Sequence, residues 1–301
     1  MKNQNVTTVT AIIPTRNRPI DLSKAVISIL NQCRTPDELI IVDQSSGNES
    51  KNIVQKLLAN NKAISLVYIH STEISGLVEA KDVAAKQSTG EIVFFLEDDV
   101  VLEQEYIKQI ELGFTLHPEM VGCCGIITNH PHRSISYGLI YDLFHVGIFR
   151  DNRAKYFGKF NGIGHDLIPN TMLSGGLSAW RREVFSVVPF DLESGFHMFE
   201  DIDFSTRVAK YYGHRLYINP NARLEHHCSP VNRDVQGLSQ RKKVKEALIY
   251  YKKRKNWSGA SFAMFLLLIG LLLESIAKSV THRSLSLLSA YFSGIKDGIS
   301  G

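Results

Sequence analysis

The chain has 301 residues, 44% of them hydrophobic and 21% charged, with 9 Pro and 21 Gly. That composition excludes a disordered, a collagenous or a polytopic membrane protein, and leaves room for two domains or one large α/β domain with an appendage. The net charge of +4 conceals an asymmetry: residues 233–255 carry nine Lys or Arg against Asp234 and Glu246, so this window is +7 and the rest of the chain −3.

In chain order, Val9–Ile13 is an apolar, β-rich run ended by Pro14, and residues 21–30 then place Leu22, Ala25, Val26, Ile29 and Leu30 at helical spacing. Glu38–Val42 reads as a second buried strand that stops at Asp43 and the turn-forming QSSGN, followed by a helix over 49–58. A third strand over 66–69, a helix over 78–87 and a fourth strand over 91–96 (EIVFFL) complete an alternation that predicts a parallel sheet with both faces covered. In such sheets ligands sit beyond the carboxyl ends of the strands, so the polar residues after strands one, two and four are expected on one rim. From 120 to 179 the pattern weakens into short strands and glycine-rich loops, 158–176 being the loosest part. A short helix is expected to begin over 180–184, a longer one covers 199–212, and 216–218 and 222–225 read as strands before His226-His227. No N-terminal secretory signal is seen, because the first eight residues are polar and the run after them is short. The four cysteines (Cys33, Cys123, Cys124, Cys228) show neither a zinc spacing nor a disulfide framework, which suits reduced thiols in the cytoplasm.

The C-terminal part differs in kind. Residues 259–273 contain no charge, but Glu274 and Lys278 follow, and a membrane span needs about 20 apolar residues. The run is apolar all round, so it is buried in a bilayer interface, against the core or in a dimer. A basic window before it, with Trp257, favours contact with an anionic membrane surface through 241–283 over nucleic acid, whose binders spread charge through the fold. The expected location is cytoplasmic, peripheral at the inner face of the membrane.

Two acidic clusters carry the chemistry. Glu97-Asp98-Asp99 follows a wholly apolar strand, a costly place for three carboxylates unless a cation compensates them, and oxygen ligands at a strand end suit Mg²⁺ or Mn²⁺. A solvated turn is the plainer alternative. Glu200-Asp201-Ile202-Asp203 opens a helix, where carboxylates are also favourable N-terminal charges.

The runs AIIPTRNRP (11–19), ELIIVDQSSGN (38–48), GLVEAK (76–81), TGEIVFFLEDDV (89–100), SGGLSAWRREVF (174–185) and PFDLESGFHMFEDIDFSTRVAKYYG (189–213) occur in one order at compatible separations. Together they closely resemble the family 2 glycosyltransferases, over about residues 8–230. The resemblance implies a GT-A fold, an α/β architecture with a mainly parallel central sheet flanked by helices. Its nucleotide-binding half would be 1–120 and its acceptor-binding half 121–230, with 231–301 a basic and apolar helical extension. It further implies an inverting, metal-assisted transferase of a hexosyl or deoxyhexosyl group from a nucleotide-diphosphate sugar to a glycan or lipid-linked acceptor, as in polysaccharide biosynthesis. By position, Pro14, Thr15, Arg16 and Asp43 would hold base and ribose, with Lys81 near the base or diphosphate. Glu97, Asp98 and Asp99 match the DXD element, Asp99 as direct metal ligand and Glu97 and Asp98 toward ribose or metal-bound water. Glu200-Asp201 matches the ED motif with Asp201 as general base, and His226 or His227 stands where relatives place a histidine near metal and diphosphate. Two positions depart from the common pattern: Glu97 replaces an aspartate, and Lys81-Asp82 replaces an Arg-Asn pair. Neither GxGxxG nor GxxxxGK[ST] is present, which disfavours a dehydrogenase and a P-loop enzyme. The competing reading is a catalytically silent relative that binds glycan or acts as a scaffold.

Overall fold

The computed structural model describes residues 7–130, 166–231, 234–253 and 260–300, together with residues 139, 141, 143 and 144. Most of the expected acceptor-side loop region therefore lies outside the described residues, as do His132, His145 and Trp257.

The first half alternates as the sequence predicts: β1 (Val9–Thr15), α1 (Pro19–Leu30), β2 (Glu38–Asp43), α2 (Glu49–Leu58), β3 (Ser65–His70), α3 (Gly76–Gln87) and β4 (Ile92–Leu96). Every residue of β1, β2 and β4 is buried, which is why these strands are continuous apolar runs rather than alternating ones. β1 continues through Pro14 to Thr15 because β4 pairs only Val9–Ile12; beyond Ile12 the strand has a neighbour on one side, a position that accommodates proline. Two elements then extend the expected pattern, β5 (Val100–Leu102) and α4 (Tyr106–Leu116), the helix burying Tyr106, Ile107, Ile110 and Phe114 along one face.

The second half holds β6 (Gly122–Ile127), β7 (Ile168–Asn170), β8 (Leu177–Arg181), α5 (Glu183–Val187), α6 (Glu200–Tyr212) and β9 (Leu216–His226). Trp180 belongs to β8 and pairs with Val93 and Gly122, so the helix expected from residue 180 begins at Glu183. The strands expected over 216–218 and 222–225 are one strand, whose pairing with β6 shifts register between Cys124 and Ile126, opposite the stretch holding Pro220. The nine strands form one sheet in the order β3-β2-β1-β4-β8-β6-β9-β5, with β7 also on β9. It is parallel from β3 to β4 and mixed beyond, where β8 runs antiparallel to β4 and β6.

Three helices close the chain: α7 (Gln236–Lys253), α8 (Ala260–Thr281) and α9 (Ser286–Ser300). α9 approaches α7 closely at two glycines one turn apart, since a Cβ on Gly294 would lie 2.6 Å from the Arg241 carbonyl oxygen and one on Gly298 2.7 Å from Leu248. These helices share a second apolar core (Val244, Ala247, Tyr250, Tyr251, Ala263, Leu267, Leu271, Tyr291) with Phe196 and Phe199, the residues just ahead of α6. The extension is thus packed onto the α/β body at the point where the second acidic cluster begins.

Candidate active site

The carboxyl ends of β1 and β4 and the N-terminus of α6 face one another across a cleft of about 540 Å³. Pro14, Thr15 and Arg16 form its β1 side, Glu97, Asp98 and Asp99 its β4 side, and Lys81, Glu200 and Asp201 its far wall. The glycine pair Gly175–Gly176 lies between these groups, and a side chain there would displace the ion pair behind it: a Cβ on Gly175 would stand 2.0 Å from Glu200 Oε1 and 2.9 Å from Lys81 Nζ.

The three consecutive carboxylates after β4 do three different things. Asp98 is buried; it accepts hydrogen bonds from Thr15 Oγ1 at 2.7 Å and Arg18 Nη1 at 2.9 Å. Burial nevertheless pushes its carboxyl up to about 6, against the pull of Thr15 and Arg18. Asp99 accepts the Ser229 backbone N–H at 2.7 Å on Oδ2 and lies 3.1 Å from His226 Nε2 on Oδ1. Burial would raise its pKa, but the hydrogen bonds from His226 and Ser229 and the charges of His226 and Arg18 hold it well below the usual carboxylate range. Glu97 reaches the same His226 nitrogen at 3.0 Å. Burial opposes charge on that imidazole, yet its bonds to Asp99 and Glu97 lift it to about 10.

Glu97, Asp99 and His226 therefore converge one donor atom each, all within 4.8 Å of one another. Two carboxylates and an imidazole sharing a proton fit a divalent cation, which takes the place of that proton. His226 is the histidine of this cluster; His227 turns outward and pairs with Glu225 at 3.0 Å, so the expectation of a metal-side role for His227 does not hold in this geometry.

On the opposite wall, Lys81 Nζ makes a 2.7 Å ion pair with Glu200 Oε1 and donates to the Gly175 carbonyl at 3.0 Å, with both side chains buried. Burial raises the Glu200 carboxyl above its ordinary value and the Lys81 charge opposes that rise. The expected position of Lys81 beside the nucleotide is thus shared with a structural task. Asp201, next along α6, is half-buried and lines the cleft. Asp43 lies apart: fully buried at the end of β2, it accepts Tyr68 OH at 2.6 Å and the Ser45 N–H at 2.9 Å, and it does not line the cleft. Arg181 is structural, its guanidinium donating to the carbonyls of Met120, Phe114 and Pro118.

Further residues complete the cleft beside those assigned a role from the sequence. Arg18 binds Asp98, stands 3.7 Å from Asp99 and donates to the Val231 carbonyl, tying the β1–α1 loop to the segment after β9. Its place in PTRNRP, beside Arg16, was the available signal. His197, which its place just ahead of Glu200 marks in the sequence as a candidate acceptor-site residue, lines the cleft, and so do Met198 and, from the C-terminal extension, Asp234 and Ser239.

The profile of Glycosyl transferase family 2 matches residues 10–188, more than half of the chain. The chain belongs to this family. Among curated relatives, an uncharacterized glycosyltransferase of Haemophilus influenzae is 24% identical over 117 residues, 39% of this chain and 46% of the relative. The GalNAc(5)-diNAcBac-PP-undecaprenol beta-1,3-glucosyltransferase of Campylobacter jejuni is 35% identical over 88 residues, 29% of this chain and 28% of the relative. The matches thus span less than half the length of these curated relatives. Among solved structures, the mannosyltransferase PcManGT from Pyrobaculum calidifontis, in complex with GDP-Man and Mn²⁺, superposes with a TM-score of 0.64 at 15% identity, covering 98% of this chain and 88% of that one. TarS 1-349 of S. aureus gives a TM-score of 0.61 at 15% identity, covering 97% and 80%. These likenesses show the GT-A fold class, in alignments that run over nearly the whole chain.

Proposed function

We propose that the protein is an inverting glycosyltransferase that moves a sugar from a nucleotide-diphosphate donor to a hydroxyl of a glycan or lipid-linked glycan. The carrying observation is the opposition of two acidic clusters across one cleft, Glu97/Asp99 with His226 at the strand ends and Asp201 at the start of α6.

The donor's base and ribose lie along Pro14, Thr15 and Arg16, and its diphosphate points toward Glu97, Asp99 and His226. Asp201 takes the proton of the acceptor hydroxyl as its oxygen bonds to the anomeric carbon, while the bond from that carbon to the diphosphate breaks. A single carboxylate on the acceptor side is what an inverting displacement requires. Glu97, Asp99 and His226 would hold a divalent cation, which would supply charge stabilisation for the departing diphosphate. Asp98 orders the β1 side through Thr15 and Arg18, and Glu200, neutralised by Lys81, keeps the start of α6 in place beside the glycine pair.

The acceptor side is proposed to meet a membrane. α8 contains a stretch, Ser261–Thr281, long and apolar enough to cross a bilayer, only 33% of it buried in the protein, with Phe262, Phe265 and Val280 exposed. The Campylobacter relative, named for an undecaprenol-linked substrate, supports a lipid-linked acceptor. Free cysteines at exposed positions 33 and 228 suit the reducing cytoplasmic side.

The test is calorimetric titration with UDP, GDP, dTDP and CMP in Mn²⁺, in Mg²⁺ and in chelator. One nucleotide is expected to bind only with metal, with Asp99→Asn losing that binding and Asp201→Asn keeping it. Turnover in Asp201→Asn is expected to fall by about 10² to 10⁴. Failure of every nucleotide to bind would overturn the reading in favour of a silent relative.

A further inference from the structure

We propose that Glu246, on the C-terminal helix α7, is a positioning residue for the transfer reaction: it holds the turn that aims Asp201 into the cleft. This inference rests on the reading of Asp201 as the general base.

Phe199 caps α6 without any side-chain hydrogen bond of its own, since a phenyl ring offers no acceptor to the backbone. The acceptor comes from elsewhere in the chain. Glu246 Oε2 receives three successive N–H groups leading into the helix, from His197 at 2.9 Å, Met198 at 2.7 Å and Phe199 at 3.1 Å. A carboxylate aligned with peptide donors at a helix N-terminus is favoured by charge as well as by hydrogen bonding. Glu246 is itself only 5% exposed, so little water competes for those donors.

The surrounding packing reinforces the grip. Tyr250, one turn beyond Glu246, packs against Phe196 and Phe199 with ring centroids 6.3 and 5.7 Å apart, and its hydroxyl is 3.1 Å from Thr206 Oγ1 on α6. α7 thus holds the turn by its backbone, its aromatic side chains and the helix that follows. The residues so held are the ones that matter: His197, Met198 and Asp201 all line the cleft. Proton abstraction depends on where the base carboxylate stands relative to the acceptor hydroxyl, and displacement of about 1 Å suffices to cost rate steeply. Nucleotide binding is assigned chiefly to the strand ends on the opposite wall, away from the backbone that Glu246 holds. The extension is by this argument part of the catalytic apparatus.

The experiment uses the full chain. Metal-dependent release of nucleoside diphosphate from a panel of UDP-, GDP- and dTDP-sugars, with water as acceptor, gives turnover. Calorimetric titration with the matching nucleoside diphosphate and Mn²⁺ gives affinity. Glu246→Ala is expected to lower turnover about tenfold or more while nucleotide affinity stays within about twofold of the parent. Hydrogen exchange is expected to quicken in peptides covering 196–204 and to stay unchanged over β1, β2 and β4. Turnover within about twofold of the parent, or a loss of turnover matched by an equal loss of nucleotide affinity, would overturn the proposal. Should the alanine variant not fold, Glu246→Asp, which withdraws the same charge by one methylene, carries the same test with the same two outcomes. Asp201→Asn in the parallel assay separates the two ideas. Full turnover there removes the base assignment, whereas loss there with full turnover in the Glu246 variant removes only the positioning role.

Discussion

The acidic rim and the basic C-terminal extension both concentrate charge of one sign, yet they resolve it differently. At the rim, Glu97, Asp98, Asp99, Glu200 and Asp201 gather round one cleft. Arg18 and Lys81 reach them with hydrogen bonds, and His226 Nε2 lies within 3.1 Å of Glu97 and Asp99. In the extension several cations find carboxylates: Arg241 with Asp297, Lys242 with Asp234, Lys253 with Asp191, and Lys243 with Glu274, which Lys278 shares. Lys252 donates to the last carbonyls of α9. One region keeps a surplus of negative charge that an external cation answers. The other pairs much of its positive charge within the protein. A charge run read as a patch for an anionic surface is, in the described residues, largely a set of internal pairs, so the proposal of membrane contact rests on the apolar face of α8 rather than on the lysines.

The comparison breaks most readily at Lys81. It is more deeply buried than Arg18 or His226, and removing it leaves Glu200 buried without its counter-charge. Lys81→Ala is expected to cost about 3–5 kcal/mol of stability in urea denaturation, the loss typical of breaking a buried pair from one side. Replacing both partners in Lys81→Met/Glu200→Met should recover most of it, because desolvated charge is then absent altogether. Little loss in the single variant would place Lys81 among the extension's dispensable pairs.

How far the sequence was legible follows the same division. β1, β2 and β4 read clearly because strands buried on both faces are unbroken apolar runs, and their ends carry the conspicuous residues Thr15 and Glu97–Asp99. Glu200-Asp201 was visible as an acidic helix start. What stayed hidden depends on partners distant in sequence. Asp43 stands at its predicted strand end, but Tyr68 from the neighbouring strand claims its carboxylate. His226 and His227 are equivalent in the sequence and opposite in the structure: His226, the last residue of β9, meets Asp99, and His227, just past the strand, pairs with Glu225. Asp191, Asp234, Glu274 and Asp297 lie outside or at the edge of the basic run they neutralise, and Glu246 reads as one acid among lysines until α7 is seen against the turn before α6.

A smaller effect sharpens the extension's side. If its helices dock by close fit as well as by charge, the α7–α9 contact should resist added volume. Gly294→Ala would set a methyl 2.6 Å from the Arg241 carbonyl oxygen and 2.8 Å from Val244 Cβ, so the helices must separate. The expected cost is about 1–3 kcal/mol, read as a lowered urea midpoint. Arg241→Ala, by contrast, removes only an exposed pair and should leave the midpoint nearly unchanged. Equal losses in both would mean that charge rather than fit holds α9.

The smallest effect concerns where the end of α7 meets the α/β body. Burial alone would raise the Asp191 carboxyl, but hydrogen bonds from Ser194 and the Lys253 ammonium at 3.0 Å bring it down to about 2 from 3.8. A carboxylate whose folded pKa lies below its unfolded value stabilises the fold above the unfolded pKa and ceases to do so as pH falls through the folded one. The contribution is therefore complete above about pH 5 and lost between about pH 4 and 2. Because the side chains of Asp191 and Lys253 are 20% and 43% exposed, solvent and salt screen the pair and the stability at stake is modest. Lowering the pH from 5 to 3 should accordingly reduce the urea midpoint of the parent protein slightly more than that of Asp191→Asn, and added salt should narrow the gap. A parent and variant that fall in parallel would show that Lys253 contributes nothing to docking, and that α7 is held at this end by Tyr250 and Glu246 instead.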